Sequence, residues 1–177
     1  MKGMMVMAMM VPMMSFGGMQ PFGSMTWFNE PEKWSVESGT LTMQVTGQSD
    51  YWRVSHYGFT VDDGPFLYTE RGGEFEAKVK VTGAYKDRFD QAGLMLRIDR
   101  ENWIKAVRRR DAVEIFYSFD DKDYTMMRNA WFQDNVPVKV GPVAAAPDGN
   151  GFEARFSDFT VKHLPDARRL EWLESHK

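Results

Sequence analysis

Cysteine is missing from all 177 residues of this chain. Its absence excludes disulfides, thiolate metal sites and a cysteine nucleophile, and leaves the redox compartment open. Histidine is scarce: His56, His163 and His176 share no spacing that would build a triad or a metal site. There is no strong charge of one sign. The net charge of −3 gives no field to recruit nucleic acid or an anionic membrane. Long hydrophobic runs are also lacking. The longest candidate, Met4 to Met14, is interrupted by Pro12 and falls well short of the roughly 20 residues of a membrane helix.

Methionine and aromatic residues are abundant. Ten of the fourteen methionines lie within the first 25 residues. Lys2, the run Met4–Met14 and the small-residue stretch Ser15-Phe16-Gly17 resemble a signal peptide in layout, although methionine and Pro12 suit an apolar core region poorly. Residues 1–24 are therefore read as a disordered extension or a targeting segment. The rest is expected in the cytoplasm, or outside the cell if the segment directs secretion. Aromatic residues make up 14% of the chain, which favours a sheet-rich core because rings and β-branched side chains pack well on a pleated surface.

Past Met25 the sequence breaks into short alternating runs. In Glu37–Val45, Leu41, Met43 and Val45 alternate with Thr40, Thr42 and Gln44, the period-two mark of a strand with one buried face. Gly73–Val81 sets Phe75, Ala77, Val79 and Val81 against Glu74, Glu76, Lys78 and Lys80. Gln91–Arg100 sets Ala92, Leu94, Leu96 and Ile98 against Gln91, Gly93, Met95, Arg97 and Asp99. Further strands are expected at Val113–Phe119, Tyr124–Met127, Val136–Val140 and Gly151–Lys162, the last with a phase slip near Asp158. The one helical candidate is the tail, Ala167–Ser175, opening at Pro165-Asp166. Many short strands without intervening helices imply an all-β antiparallel jelly-roll sandwich over residues 25–164, followed by a tail or short helix over 165–177.

Several motifs, taken together in order, resemble one family. They are Trp34–Leu41 (WSVESGTL), Asp50–Arg53 (DYWR), Asp90–Arg97 (DQAGLMLR), Asn102–Ala106 (NWIKA), Tyr117–Asp121 (YSFDD), Met127-Arg128 and Val140–Pro147 (VGPVAAAP). The run from about Met25 to Val161 resembles the regulation-of-enolase family, whose domain has the concanavalin A-like lectin/glucanase fold. The resemblance implies a lectin-like binding or regulatory module, with a carbohydrate or a metabolic enzyme such as enolase as its partner. It also implies an internal deletion. After Trp103-Ile-Lys-Ala106 family members continue with two or more strands that are lost here, roughly 30 to 40 residues by comparison with the family. Losing interior strands bares the hydrogen-bonding edges of their neighbours, and weak or aggregation-prone folding is the expected consequence.

The chemistry-bearing residues favour binding over catalysis. Glu74 and Glu76 share a strand face, about 6.5–7 Å apart by strand rise, whereas a retaining glycosidase wants about 5–5.5 Å and usually a third acid. The glucanase signature of alternating acids is absent from the sequence, so a hydrolase stands as the alternative reading. Asp62-Asp63-Gly64 and Asp120–Asp123 have the composition of turns rather than of a calcium loop, and Lys122 would repel the ion. Arg108–Arg110 is too short a basic run for a nucleic-acid surface. The remaining candidate is a ligand face on one sheet: Gln91 and Arg97 lie on the polar side of their strand, and Trp52 and Trp103 sit in motifs that, by the resemblance, flank it. No catalytic residue, metal or cofactor is expected. Oligomeric state is not legible.

Overall fold

A computed structural model describes residues 22–53, 58–99, 103–104, 107–109, 112–133 and 136–165, the backbone alone at 103–104 and 107–109. A single 3-10 turn, Phe22–Ser24, leads into fourteen strands. They are β1 (Thr26–Phe28), β2 (Trp34–Glu37), β3 (Thr40–Gln44), β4 (Tyr51–Arg53), β5 (Thr60–Asp62), β6 (Phe66–Arg71) and β7 (Phe75–Gly83). Then follow β8 (Gln91–Arg97), β9 (Trp103–Ile104), β10 (Val107–Arg109), β11 (Ala112–Tyr117), β12 (Thr125–Trp131), β13 (Val138–Ala145) and β14 (Glu153–His163).

Period-two patterning has its expected result: two antiparallel sheets face each other across one core. The five-stranded sheet runs β1-β6-β13-β8-β9 and the seven-stranded sheet β12-β11-β10-β7-β14-β3-β2. Between them pack Leu41, Met43, Phe75, Ala77, Val113, Phe156 and Phe159 from the larger sheet, against Leu67, Leu96, Val138, Val140 and Ala144 from the smaller. The slip expected near Asp158 is present. The β14–β7 register shifts between Ser157 and Thr160, and Asp158 takes φ 54°.

Two boundaries move. The fold begins before Met25, because Phe22 is buried and stacks on Phe159 with ring centroids 5.8 Å apart. The strand expected over Val136–Val140 runs instead to Ala145. It is the middle strand of its sheet and buried on both faces, so Gly141-Pro-Val-Ala-Ala145 shows no alternation. The helix expected at Ala167–Ser175 lies outside the described residues.

The deletion shows as a thin seam. Strand β7 pairs with β14 along most of its length, but with β10 only at Phe75, through Arg108. Strand β8 pairs with β13 throughout, but with β9 only at Leu96 and Arg97. Among the described residues no strand covers the rest of either edge. Burial falls away from the seam accordingly. Phe75 and Ala77 are buried while Val79 and Val81 are half-buried; Val113 is buried, Ile115 half-buried and Tyr117 exposed. Ile104 and Val107, three positions apart in sequence, belong to opposite sheets.

Candidate functional site

The outer face of the five-stranded sheet carries a second, smaller apolar cluster. Phe66, Met95 and Val143 are buried there with Tyr51, flanked by Phe28 and Tyr68. Tyr51 does not belong to this sheet. It comes from the β4–β5 hairpin, which forms a two-stranded sheet of its own and lies over the face as a cover.

Four side chains fasten that cover with hydrogen bonds. At one end of β8, Gln91 Nε2 donates to Asp50 Oδ1 at 3.1 Å. At the other end, Arg97 donates through both terminal nitrogens to the two Asp62 oxygens at 2.6 and 2.8 Å. Between them the Tyr51 hydroxyl donates to the Gly64 carbonyl at 2.6 Å, and Asn29 Nδ2 donates to the carbonyls of Asp62 and Gly64. The hairpin closes on itself through Asp50 N to Asp63 Oδ1 and Asp63 N to Asp50 O. Gly64 is required where it stands, since a Cβ there would lie 2.6 Å from the Ala144 carbonyl oxygen and 2.7 Å from the Tyr51 ring.

The electrostatics follow from burial. Arg97 is 3% exposed, and a guanidinium so placed needs a bidentate carboxylate to offset its lost hydration. Asp62 supplies it, and the Phe28 ring lies beneath the guanidinium, 4.5 Å from carbon to centroid. Burial pushes the Tyr51 phenol far above its ordinary value, with nearby Arg97 offsetting part of the shift. Further along the same face, Lys139 Nζ sits 5.1 Å from the centre of the half-buried Tyr68 ring.

The structure brings together only part of the expected set. Gln91 and Arg97 share the sheet face, but both are engaged with the hairpin, and Arg97 is no open hand for a ligand. Trp52 belongs to the other side of the hairpin from Tyr51, by strand alternation, where its ring meets Phe59 at 6.0 Å. Trp103 stands opposite Arg97 in the β8–β9 register; its side chain lies outside the described residues. Asp62 entered the sequence reading only as part of the Asp62-Asp63-Gly64 turn, and Asp50, Asn29, Tyr68 and Lys139 were not singled out as site residues. One signal could have found Asp62: a mid-strand arginine among aliphatics demands a buried partner.

The other candidates resolve into local structure. Asp120 Oδ1 accepts from the amides of Lys122 and Asp123 and from the Ser118 hydroxyl, which holds its carboxyl below the usual range. Asp121 pairs with Lys78 at 2.9 Å and accepts from Tyr124. This is turn chemistry. Glu74 and Glu76 flank buried Phe75, Glu76 exposed and Glu74 half-buried. No group of three or more His, Asp or Glu side chains placed to hold a metal occurs among the described residues. His56 and His176 lie outside the described residues, and His163 is exposed. Two shallow hollows, about 210 and 290 Å³, are at the β2–β3 edge of the other sheet, by Lys33, Gln44 and Asn150 and by Trp34, Thr42 and Glu153. They share no residue with the covered face.

Comparison with known proteins agrees with the architecture and with the seam. The chain matches Regulation of enolase protein 1 of Saccharomyces cerevisiae at 30% identity over 174 residues, 77% of this chain and 88% of that protein. Since 77% of 177 residues is about 136, about 38 of those 174 positions have no counterpart here. A crystal structure described as a functionally unknown protein from Saccharomyces cerevisiae superposes with TM-score 0.79 at 28% identity, covering 82% of this chain and all of that one. One family pattern is matched in two segments, residues 27–108 and 105–164, which meet at the short crossing between β9 and β10. The chain therefore belongs to the family described as protein of unknown function DUF1349, and has lost an internal segment beside Ala106.

Proposed function

We propose that this chain is a non-catalytic binding module that recognises a protein partner with the outer face of its five-stranded sheet and the hairpin laid across it. One observation carries the reading: five separate elements deliver Phe28, Tyr68, Lys139, Gln91 and the β4–β5 hairpin to one face, and a buried charge pair holds the hairpin in place. A preorganised face of this kind reduces the ordering cost of association. Half-buried aromatics such as Phe28 and Tyr68 are among the residue types enriched at interface centres.

A protein partner fits better than an enclosed small ligand. The covered face is a sheet surface under a hairpin, with Tyr68 and Lys139 beside the cover, and the two hollows described above lie on the other sheet. The relative named for regulation of enolase makes an enolase-type metabolic enzyme the first partner to try. A carbohydrate stacked on Tyr68 is the second reading, favoured by its half-buried ring beside Lys139.

The test is a pull-down of purified enolase alongside a glycan array, with Tyr68→Ala, Lys139→Glu and Trp52→Ala variants. A protein signal lost in Tyr68→Ala and Lys139→Glu supports the sheet face, and loss in Trp52→Ala as well extends it over the outer side of the hairpin. Binding indifferent to Tyr68 and Lys139 removes that face as the site. A glycan signal with the same dependence selects the carbohydrate.

A further inference from the structure

Strand β12 ends the seven-stranded sheet with an edge unlike that of a protected monomer. It is seven residues long, and only Ala130 within it is partly buried. Met127 is 64% exposed and Trp131 72%. Sheet edges in monomers are blunted by shortness, by Lys or Pro, or by a twist-inducing bulge. The opposite edge, β2, conforms, with four residues ending in Glu37. Strand β12 has neither Lys nor Pro. Its bulge falls toward the hairpin end: Arg128 faces Ile115 and Met126 faces Phe116, so Met127 is the extra residue, on β12 itself. Arg128 to Trp131 therefore run in regular register against Ile115 to Ala112, and present a straight outer edge with no strand on it among the described residues.

We infer that β12 pairs antiparallel with β12 of a second copy of this chain, about a two-fold axis through Asn129. Self-complementarity selects both the occupant and the register. Residues facing each other across an antiparallel pair point to the same side, so a two-fold axis normal to the sheet must pass through one residue. An axis through Arg128 would set Arg128 against its own copy, a destabilising like-charge pair. An axis through Asn129 sets Asn129 against Asn129, where two amides hydrogen-bond. It also pairs Arg128 with Ala130 and brings Trp131 of each copy beside the bulged Met127 of the other, within reach of a sulfur–aromatic contact that occurs twice by symmetry. Exposed Trp131 on the regular edge and exposed Met127 at the bulge thus cover one another, and the sheets join into one.

Absence of cysteine makes the register directly testable. At the axis the two Asn129 Cα atoms would lie about 4.5–5.5 Å apart, within the roughly 4.4–6.8 Å a disulfide spans. Two copies of Thr125 would be about 27 Å apart at eight strand steps. The full chain is expected to shift with concentration from 20.5 kDa toward twice that mass in sedimentation velocity. Mild oxidation should trap Asn129→Cys as a covalent dimer and leave Thr125→Cys monomeric. Met127→Lys with Trp131→Lys should weaken association at least tenfold with an unchanged circular dichroism spectrum. A chain that stays monomeric at every soluble concentration overturns the inference. So does equal trapping by both cysteines, or a dimer indifferent to the two lysines.

Discussion

Arg97 and Asp62 form a two-pronged ion pair at 2.6 and 2.8 Å, with side-chain exposures of 4% and 12%, joining the floor of the five-stranded sheet to the hairpin that covers it. The pair is the mechanical centre of the candidate site. Neither group could be buried without the other, and together they place the hairpin over Phe66, Met95 and Val143.

Removing one member should therefore do more harm than removing both. Arg97→Met leaves the Asp62 carboxylate without its counter-ion and is expected to lower stability by about 3–5 kcal/mol. The double variant Arg97→Met with Asp62→Leu should recover much of that loss, because an apolar pair of similar volume carries no desolvation penalty. Urea melts of both singles and the double, combined as a cycle, measure the coupling. Additive losses would mean that the pair does not hold the hairpin.

Tyr51 gives the fold an alkaline limit. Its folded-state pKa is raised, chiefly by burial, above the ordinary value near 10. Below about pH 10 the phenol is neutral in both states, so the full stabilisation is present. As pH rises above that value the unfolded chain ionises first and stability declines toward the folded pKa. Melting temperature should accordingly fall between about pH 9.5 and 11. Tyr51→Phe should flatten that fall, while costing about 0.5–1.5 kcal/mol at pH 8 for the lost bond to Gly64. An equally steep decline in the variant would assign the alkaline sensitivity to other groups.

How much of this was legible depended on how many faces of each strand are buried. Strands β3, β7 and β14 have one wet face, so Leu41/Met43, Phe75/Ala77 and Ala154/Phe156 stand out against polar alternates, and β8 was legible because Gln91, Gly93 and Arg97 still alternate with Ala92, Leu94 and Leu96 although the hairpin covers that side. Strand β6 was missed because Phe66 and Tyr68 pack under the hairpin while Leu67 packs in the core, which erases the alternation. The middle of β13 hid for the same reason. The ligand set suffered from a different limit. Spacing shows that Gln91 and Arg97 share a face, but not that Asp50 and Asp62, more than thirty residues away, reach back to engage them. Motif order showed the missing segment; pairing shows what its loss leaves open.

Gly141 is a point where the sheet tolerates no side chain. A Cβ there would lie 1.9 Å from the Leu67 carbonyl oxygen, a backbone atom that cannot swing aside. The β13–β6 ladder skips from Val140–Thr69 to Val143–Phe66 around it, with Pro142 next in line. Gly141→Ala should force the strands apart and cost about 2–4 kcal/mol. Thermal melting checks it, and a loss under about 0.5 kcal/mol, the range of ordinary surface changes, would show that the strands can shift without penalty.

The open edge of β7 should be visible in hydrogen exchange. Successive amides of a strand point to opposite neighbours, so those between Glu76 and Gly83 that face β14 should be protected, and the alternate ones fast. Inserting the segment that the Saccharomyces relative carries at this point, between Ala106 and Val107, should protect both sets if its strands fill the seam. The half-buried Val79, Val81, Ala92 and Leu94 would then complete their burial, worth roughly 3–4 kcal/mol in all. For a chain of this size that corresponds to a rise of roughly 6–16 °C in Tm. Uniform protection along β7 in the present chain would contradict an open edge, since water cannot reach an amide already paired on that side. A chimera with restored protection and an unchanged Tm would show instead that the present chain has already re-packed its core around the loss.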